Sequence, residues 1–137
     1  MTPESETILA GLFGHSRQLA GEIEQDAAAM YGGVPYRFTT LKERPDLFVL
    51  SALADYLACR PESLDPKTAE LIAMTAAAAA NAPDCLRLHM RAAQREGASR
   101  RAIRDCLIIA SVIRQASVQA RSFRVLDELP GEGSTGG

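Results

Sequence analysis

Between Asp65 and Gly97 the chain carries its own punctuation for two consecutive helices. Asp65 is a good N-cap, and Pro66 suits a first helical position, where no amide hydrogen is needed. From Pro66 to about Ala80 nothing interrupts a helix, and Ala76 to Ala80 are five alanines in a row. Alanine is the strongest helix former and has almost no side chain, so another backbone can come close there. Asn81-Ala82-Pro83 ends this helix and starts the next, with Asp84 near the positive end of the new helix dipole. That second helix is predicted to run to about Glu96 and to stop at Gly97. Such a pair demands tight helix-on-helix packing.

The rest of the chain reads the same way. A helix is predicted from about Glu4 to Met30, with Ile8, Leu9, Leu12, Phe13, Leu19 and Ile23 at roughly helical spacing. Gly11, Gly14 and Gly21 weaken it and leave room for a break near Gly14. Tyr31-Gly32-Gly33-Val34-Pro35 is a turn, followed by a short helix from Tyr36 to about Lys42. Pro45 opens a helix whose apolar stripe is Leu47, Val49, Leu50, Leu53 and Leu57, ending at Cys59. Arg60 to Pro66 reads as a linker. Ser99 caps a helix from about Arg100 to Ile113, with a seam of Ile103, Leu107, Ala110 and Ile113. A last helix is predicted over Ser117–Leu129 and stops at Pro130. Residues 131–137 are expected to form a flexible tail. No β alternation and no internal repeat are present, so the fold class is all-α.

At 137 residues the size prior favours one domain, here residues 1–130. The composition is 47% hydrophobic and 23% charged, that of a soluble globule. The formal net charge of −2 gives no reason to expect nucleic acid or an anionic membrane as partner. The arginines at 87, 91, 95, 100, 101 and 104 lack interleaved aromatics, and Glu96 and Asp105 interrupt them, so a solvated or inter-subunit face is the better reading. Leu71 to Pro83 is too short for a membrane span, which needs about 20 apolar residues. The opening Thr2-Pro3-Glu4-Ser5-Glu6 is acidic and polar, unlike a signal peptide. Cys59, Cys85 and Cys106 match no disulfide framework or zinc signature. Together these features lead to an expectation of free thiols in a reducing cytoplasm, with no metal and no cofactor.

The reactive residues sit at the start of the second helix. Cys85 and His89 are four residues apart, and at about 100° per residue they project within about 40° of each other. Arg87, Arg91 and Arg95 fall on the opposite side. Cys85 lies in the first turn, where the dipole favours a thiolate, and His89 one turn later can hydrogen-bond it or take its proton. Glu70, on the preceding helix, can orient His89 or hold a proton itself. A buried structural cysteine is the plain alternative for Cys85. His15 has no partner within sequence reach and reads as a surface or cap residue.

The stretch Leu64-Asp65-Pro66-Lys67-Thr68-Ala69-Glu70-Leu71-Ile72-Ala73, then Cys85-x-x-x-His89, then Arg91-Ala92-Ala93-Gln94-Arg95-Glu96-Gly97-Ala98-Ser99 resembles the carboxymuconolactone decarboxylase family, which includes the AhpD-like alkylhydroperoxidases. Met30-Tyr31-Gly32-Gly33-Val34-Pro35 and Glu43-Arg44-Pro45-Asp46-Leu47 resemble the lead-in of AhpD-like chains. The core of the match is residues 64–129. The resemblance implies an AhpD-like helical domain of about six helices that assembles as a homotrimer or homohexamer. The peroxidase branch carries Glu-x11-Cys-x-x-Cys-x3-His, and Glu70, Cys85 and His89 fill three of those four places. Ala82 stands where the first cysteine, the resolving one, is expected. Asp84 stands where peroxidases often have a histidine, and a carboxylate there opposes thiolate formation. The decarboxylase branch lacks the cysteine pair and keeps a text like Leu86-Arg87-Leu88-His89.

The leading expectation is therefore an oxidoreductase that reduces hydroperoxides through Cys85, with a Glu70/His89 proton relay and without the usual resolving cysteine. The sulfenic acid formed on Cys85 needs a second thiol. Cys106 is the first internal candidate and Cys59 a weaker one, with an external thiol reductant otherwise. One alternative is a decarboxylase-like lyase in which His89 transfers a proton to a small carboxylated ring. Another is a non-catalytic oligomeric binding scaffold, with Cys85 buried and no cavity beside His89. The expected partners are other copies of the chain, a thiol reductant and a small-molecule substrate.

Overall fold

Each proline or cap residue marked out by the sequence opens a helix in the computed structural model, which describes residues 1–130. In chain order the helices are α1 (Pro3–Gly14), α2 (Ser16–Tyr31), α3 (Tyr36–Leu41), α4 (Pro45–Ala58), α5 (Pro66–Ala79), α6 (Pro83–Arg95) and α7 (Arg100–Asp127). The described residues contain no strand, so the all-α expectation holds, with seven helices rather than about six. The tail expected at 131–137 lies outside the described residues.

Two boundaries differ from expectation. The single helix expected over residues 4–30 is interrupted at His15, which leaves helical geometry at φ −102° and ψ 4°. Its ring Nδ1 and its amide both meet the carbonyl of Gly11, closing α1. The two helices expected over 100–113 and 117–129 are one helix of 28 residues. Arg114, Gln115 and Ala116 between them are all good helix formers, so nothing stops propagation there.

Two apolar clusters hold the chain together. Phe38, Phe48, Val49 and Ala52 form the first, with Leu12, Leu19, Ala20 and Ile23 packed on it from α1 and α2. Met74, Ala93, Ala98 and Ile103 form the second, with Leu71, Leu86, Met90, Cys106 and Leu107 around it. Of the five alanines in the run only Ala77 is buried, while Ala76 and Ala80 are exposed; Ala77 with Ala92 and Ala93 of α6 lets the two helices approach closely. Asn81, in the left-handed region at φ 56°, ends α5, with Ala82 N–H bonding back to the Ala77 carbonyl at 2.9 Å. Gly97 at φ 83° ends α6 in the same manner, with Ala98 bonded to Ala93 at 2.8 Å.

Much of the expected apolar seam on two helices is uncovered. On α4 the buried residues are Phe48, Val49 and Ala52, whereas Leu47, Leu50, Leu53 and Leu57 are exposed. On α7, Ile103 and Ala110 are buried, but Ile113, Val118, Phe123, Val125 and Leu126 face outward. No helix among the described residues is long and apolar enough to cross a membrane.

Candidate functional site

Glu70 lies in the second turn of α5, on the face that the alanines press against α6. Asp65 caps that helix, its carboxylate accepting from the Thr68 amide at 3.0 Å, so the register of Glu70 is set locally. Glu70 is fully buried, the only charged side chain in the core of the described residues. A buried carboxylate needs partners, and both of its oxygens have one. His89 Nδ1 lies 2.7 Å from Oε2, and Arg60 Nη1 donates to Oε1 at 2.6 Å. Burial pushes the Glu70 carboxyl up, but the hydrogen bonds from His89 and Arg60 outweigh it and hold the group below the usual carboxylate range. Glu70 is therefore an anion at neutral pH and the acceptor in both bonds, and Nδ1 of His89 carries the proton it donates.

His89 is partly buried, at 16% exposure. Tyr31, at the end of α2, meets its ring edge-on with centroids 6.2 Å apart. Among the described residues nothing hydrogen-bonds to Nε2, the nitrogen left for a reactant. Arg60 also donates to the Cys59 carbonyl at 2.9 Å and touches Met30 Sδ at 3.6 Å. The ends of α2 and α4 and the middles of α5 and α6 thus meet around one carboxylate.

Cys85 is on the first turn of α6 and is exposed. It shares with His89 a cavity of about 1150 Å³ whose wall is mostly apolar, including Met30, Phe38, Leu53 and Leu88. Tyr31, Tyr36, Tyr56 and Cys59 also line it, as does Ala82. The expected Cys85–His89 hydrogen bond is not formed among the described residues, although both side chains line the cavity. The i, i+4 spacing sets a common direction, but the thiol at the helix start is left facing open space. Asp84 beside Cys85 is paired with Arg87, which offsets its charge.

The two other thiols lie elsewhere than the sequence ordering suggests. Cys106, the first internal candidate, packs against the Met74 cluster and is absent from the cavity wall. Cys59, at the end of α4, lines the cavity with Cys85. Burial first, and then the Glu70 charge, raises the Cys59 thiol above its ordinary value, and the same two causes raise Tyr31. No group of three or more His, Cys, Asp or Glu among the described residues is arranged to hold a metal ion.

Arg60 and Tyr31 are the site residues that sequence reasoning missed, and Cys59 is the one it ranked below Cys106. Arg60 is indistinguishable in sequence from a linker arginine, because it lies ten positions before the carboxylate it binds. Arg95, assigned to a solvated or inter-subunit stripe, instead donates to the carbonyls of Ala29 and Met30 at the end of α2. This fastens α6 to the helix that carries Tyr31.

Comparison with known proteins bears on this geometry. The profile described as the carboxymuconolactone decarboxylase family matches residues 48–128. That span holds Cys59, Arg60, Glu70, Cys85 and His89. A curated relative from Paracoccus denitrificans, "Uncharacterized protein 4 in cox locus", is 33% identical over 72 residues, covering 50% of this chain and 65% of the relative. The match therefore spans less than two-thirds of the length of that relative. No solved structure matches the chain.

Proposed function

The chain belongs to the carboxymuconolactone decarboxylase family, and on that premise we propose that it reduces hydroperoxides through Cys85, with His89 and Glu70 handling the proton. The observation that carries this reading is the buried Glu70–His89 pair, 2.7 Å apart, on a cavity that also exposes a thiol. The sulfur of Cys85 attacks the distal oxygen of a hydroperoxide as a thiolate, and the O–O bond breaks. The sulfur is oxidised by two electrons to a sulfenic acid. The leaving alkoxide takes a proton relayed through His89 and departs as an alcohol. Glu70 stays ionised throughout and stabilises the charged imidazole.

The second half of the cycle needs another thiol. Cys59 has the better claim, since it shares the cavity whereas Cys106 is packed in apolar surroundings. Attack of Cys59 on the sulfenic sulfur forms a disulfide and releases the hydroxyl with the thiol proton as water. An external thiol reductant then returns both cysteines to the free form. The raised Cys59 thiol is protonated at neutral pH, which disfavours it for the first attack.

A second reading, a decarboxylase-like lyase, draws support from the absence of a Cys85–His89 hydrogen bond. His89, held through Nδ1, is equipped to give or take a proton at Nε2 without sulfur. The silent-scaffold reading has less support, because it calls for a buried Cys85 and no room beside His89. We also propose that the chain assembles with copies of itself, as a trimer or hexamer, through the uncovered apolar faces of α4 and α7.

The test is to add one equivalent of hydroperoxide to the reduced protein and trap sulfenic acid with a cyclic diketone. Modification of Cys85, lost in Cys85→Ser together with peroxide consumption, is the expected result. Undiminished peroxide consumption by Cys85→Ser would sink the thiol mechanism.

A further inference from the structure

The proposed chemistry makes no use of Arg60, although this residue is built into the site. Its side chain is only 21% exposed. One guanidinium reaches the end of α2 at Met30, the end of α4 at the Cys59 carbonyl, and the buried carboxylate of α5. A carboxylate with one oxygen unpartnered in such a place would turn, or take up a proton, rather than remain a fixed anion. Here each oxygen has its own donor: Oε1 belongs to Arg60 and Oε2 to His89.

We propose that Arg60 is a positioning residue for His89, acting through Glu70. By holding Oε1 it keeps the carboxylate ionised and turned so that Oε2 retains the Nδ1 proton, leaving Nε2 as the unprotonated nitrogen of the neutral ring. The inference rests on the reading of His89 as the proton carrier and adds what sets its tautomer. Four groups surround the carboxylate: Arg60 after α4, His89 on α6, Cys59 at the end of α4 and Tyr31 at the end of α2. Cys59 and Tyr31 are uncharged at neutral pH, so Arg60 is the permanent cation of this set.

The experiment reads the tautomer directly. In ¹⁵N-labelled protein at alkaline pH, long-range imidazole correlations should show a protonated Nδ1 and a bare Nε2 on His89. In Arg60→Gln the two nitrogens should drift toward the mixed tautomers of a free imidazole. Peroxide consumption should fall by about tenfold or more, and its acid limb should move to higher pH, because Glu70 then protonates more readily. Arg60→Lys, which keeps a cation, should recover most of the rate and the wild-type spectrum. A wild-type ring protonated on Nε2, or an Arg60→Gln spectrum and pH profile identical to wild type, overturns the proposal. The spectrum is independent of turnover: an inactive protein with an Arg60-dependent tautomer would sink the hydroperoxide reading and leave this inference standing. If Arg60→Gln does not fold, the wild-type arm decides alone. A slowly exchanging, downfield Nδ1 proton is then expected, and its absence overturns the assignment.

Discussion

His89 Nδ1 lies 2.7 Å from Oε2 of Glu70, a carboxylate with no exposed surface, so a partly buried ring on α6 is tied to a buried charge on α5. Removing charge from that point has consequences for stability. Glu70→Gln should destabilise the fold by about 2 kcal/mol at neutral pH, because the Arg60 and His89 donors lose an ionised acceptor. Chemical denaturation of the two proteins gives the difference.

The same pair sets a pH dependence. The folded Glu70 carboxyl lies below its ordinary value, near 4.3 in an unfolded chain. Its contribution is therefore fully present above that unfolded value and is lost as pH falls through the lower, folded one. The stability gap between wild type and Glu70→Gln should close as pH falls below the unfolded carboxylate value. A gap that persists undiminished in strong acid would contradict the ionised assignment.

Cys85 and His89 separate the two catalytic readings. In a hydroperoxide reductase, Cys85→Ser abolishes turnover and His89→Ala slows it by about a hundredfold. In a proton-transfer lyase the order reverses, with Cys85→Ser tolerated and His89→Ala inactive. Peroxide consumption and carbon dioxide release measured on both variants distinguish them.

The thiol that resolves a Cys85 sulfenic acid should be Cys59. After stoichiometric peroxide, peptide mapping is expected to find Cys59 and Cys85 linked and Cys106 free. Cys59→Ser should prolong the trapped sulfenic acid, and Cys106→Ser should leave its lifetime unchanged. A mixed disulfide with added small thiol, without any Cys59 link, would assign resolution to an external reductant.

Ile113 and Leu126, both largely exposed on α7, test the assembly. Ile113→Glu with Leu126→Glu should lower the sedimentation mass from three or six chains to one while helical content is retained. A wild-type chain that sediments as a monomer would count against self-assembly.

Helix identity was legible because its causes are local. Asp65 with Pro66, Pro83, Gly97 and Ser99 with Arg100 each act within a few residues, and each stands at the boundary assigned to it. Glu70 and His89 were legible through the family motif. Where local signals were weak, the reading slipped: Ser117 lies within a continuous α7 because no residue near it opposes a helix. Of the apolar stripe expected on α4 only Val49 is buried, because Leu and Phe at adjacent positions are similarly apolar, and contact with α2 and α3 selects which side is covered.

The sequence by itself determined that this chain is helical, where most of its helices begin, and that Cys85 and His89 share one side of α6. Those follow from backbone propensity and spacing along one helix, and the family motif added Glu70. Only the tertiary structure decided that Arg60 seals the carboxylate, that Cys59 rather than Cys106 faces the cavity, and that Cys85 makes no hydrogen bond to His89. Those depend on where separate helices end relative to one another, which is set by packing across the whole core and by no neighbouring residue.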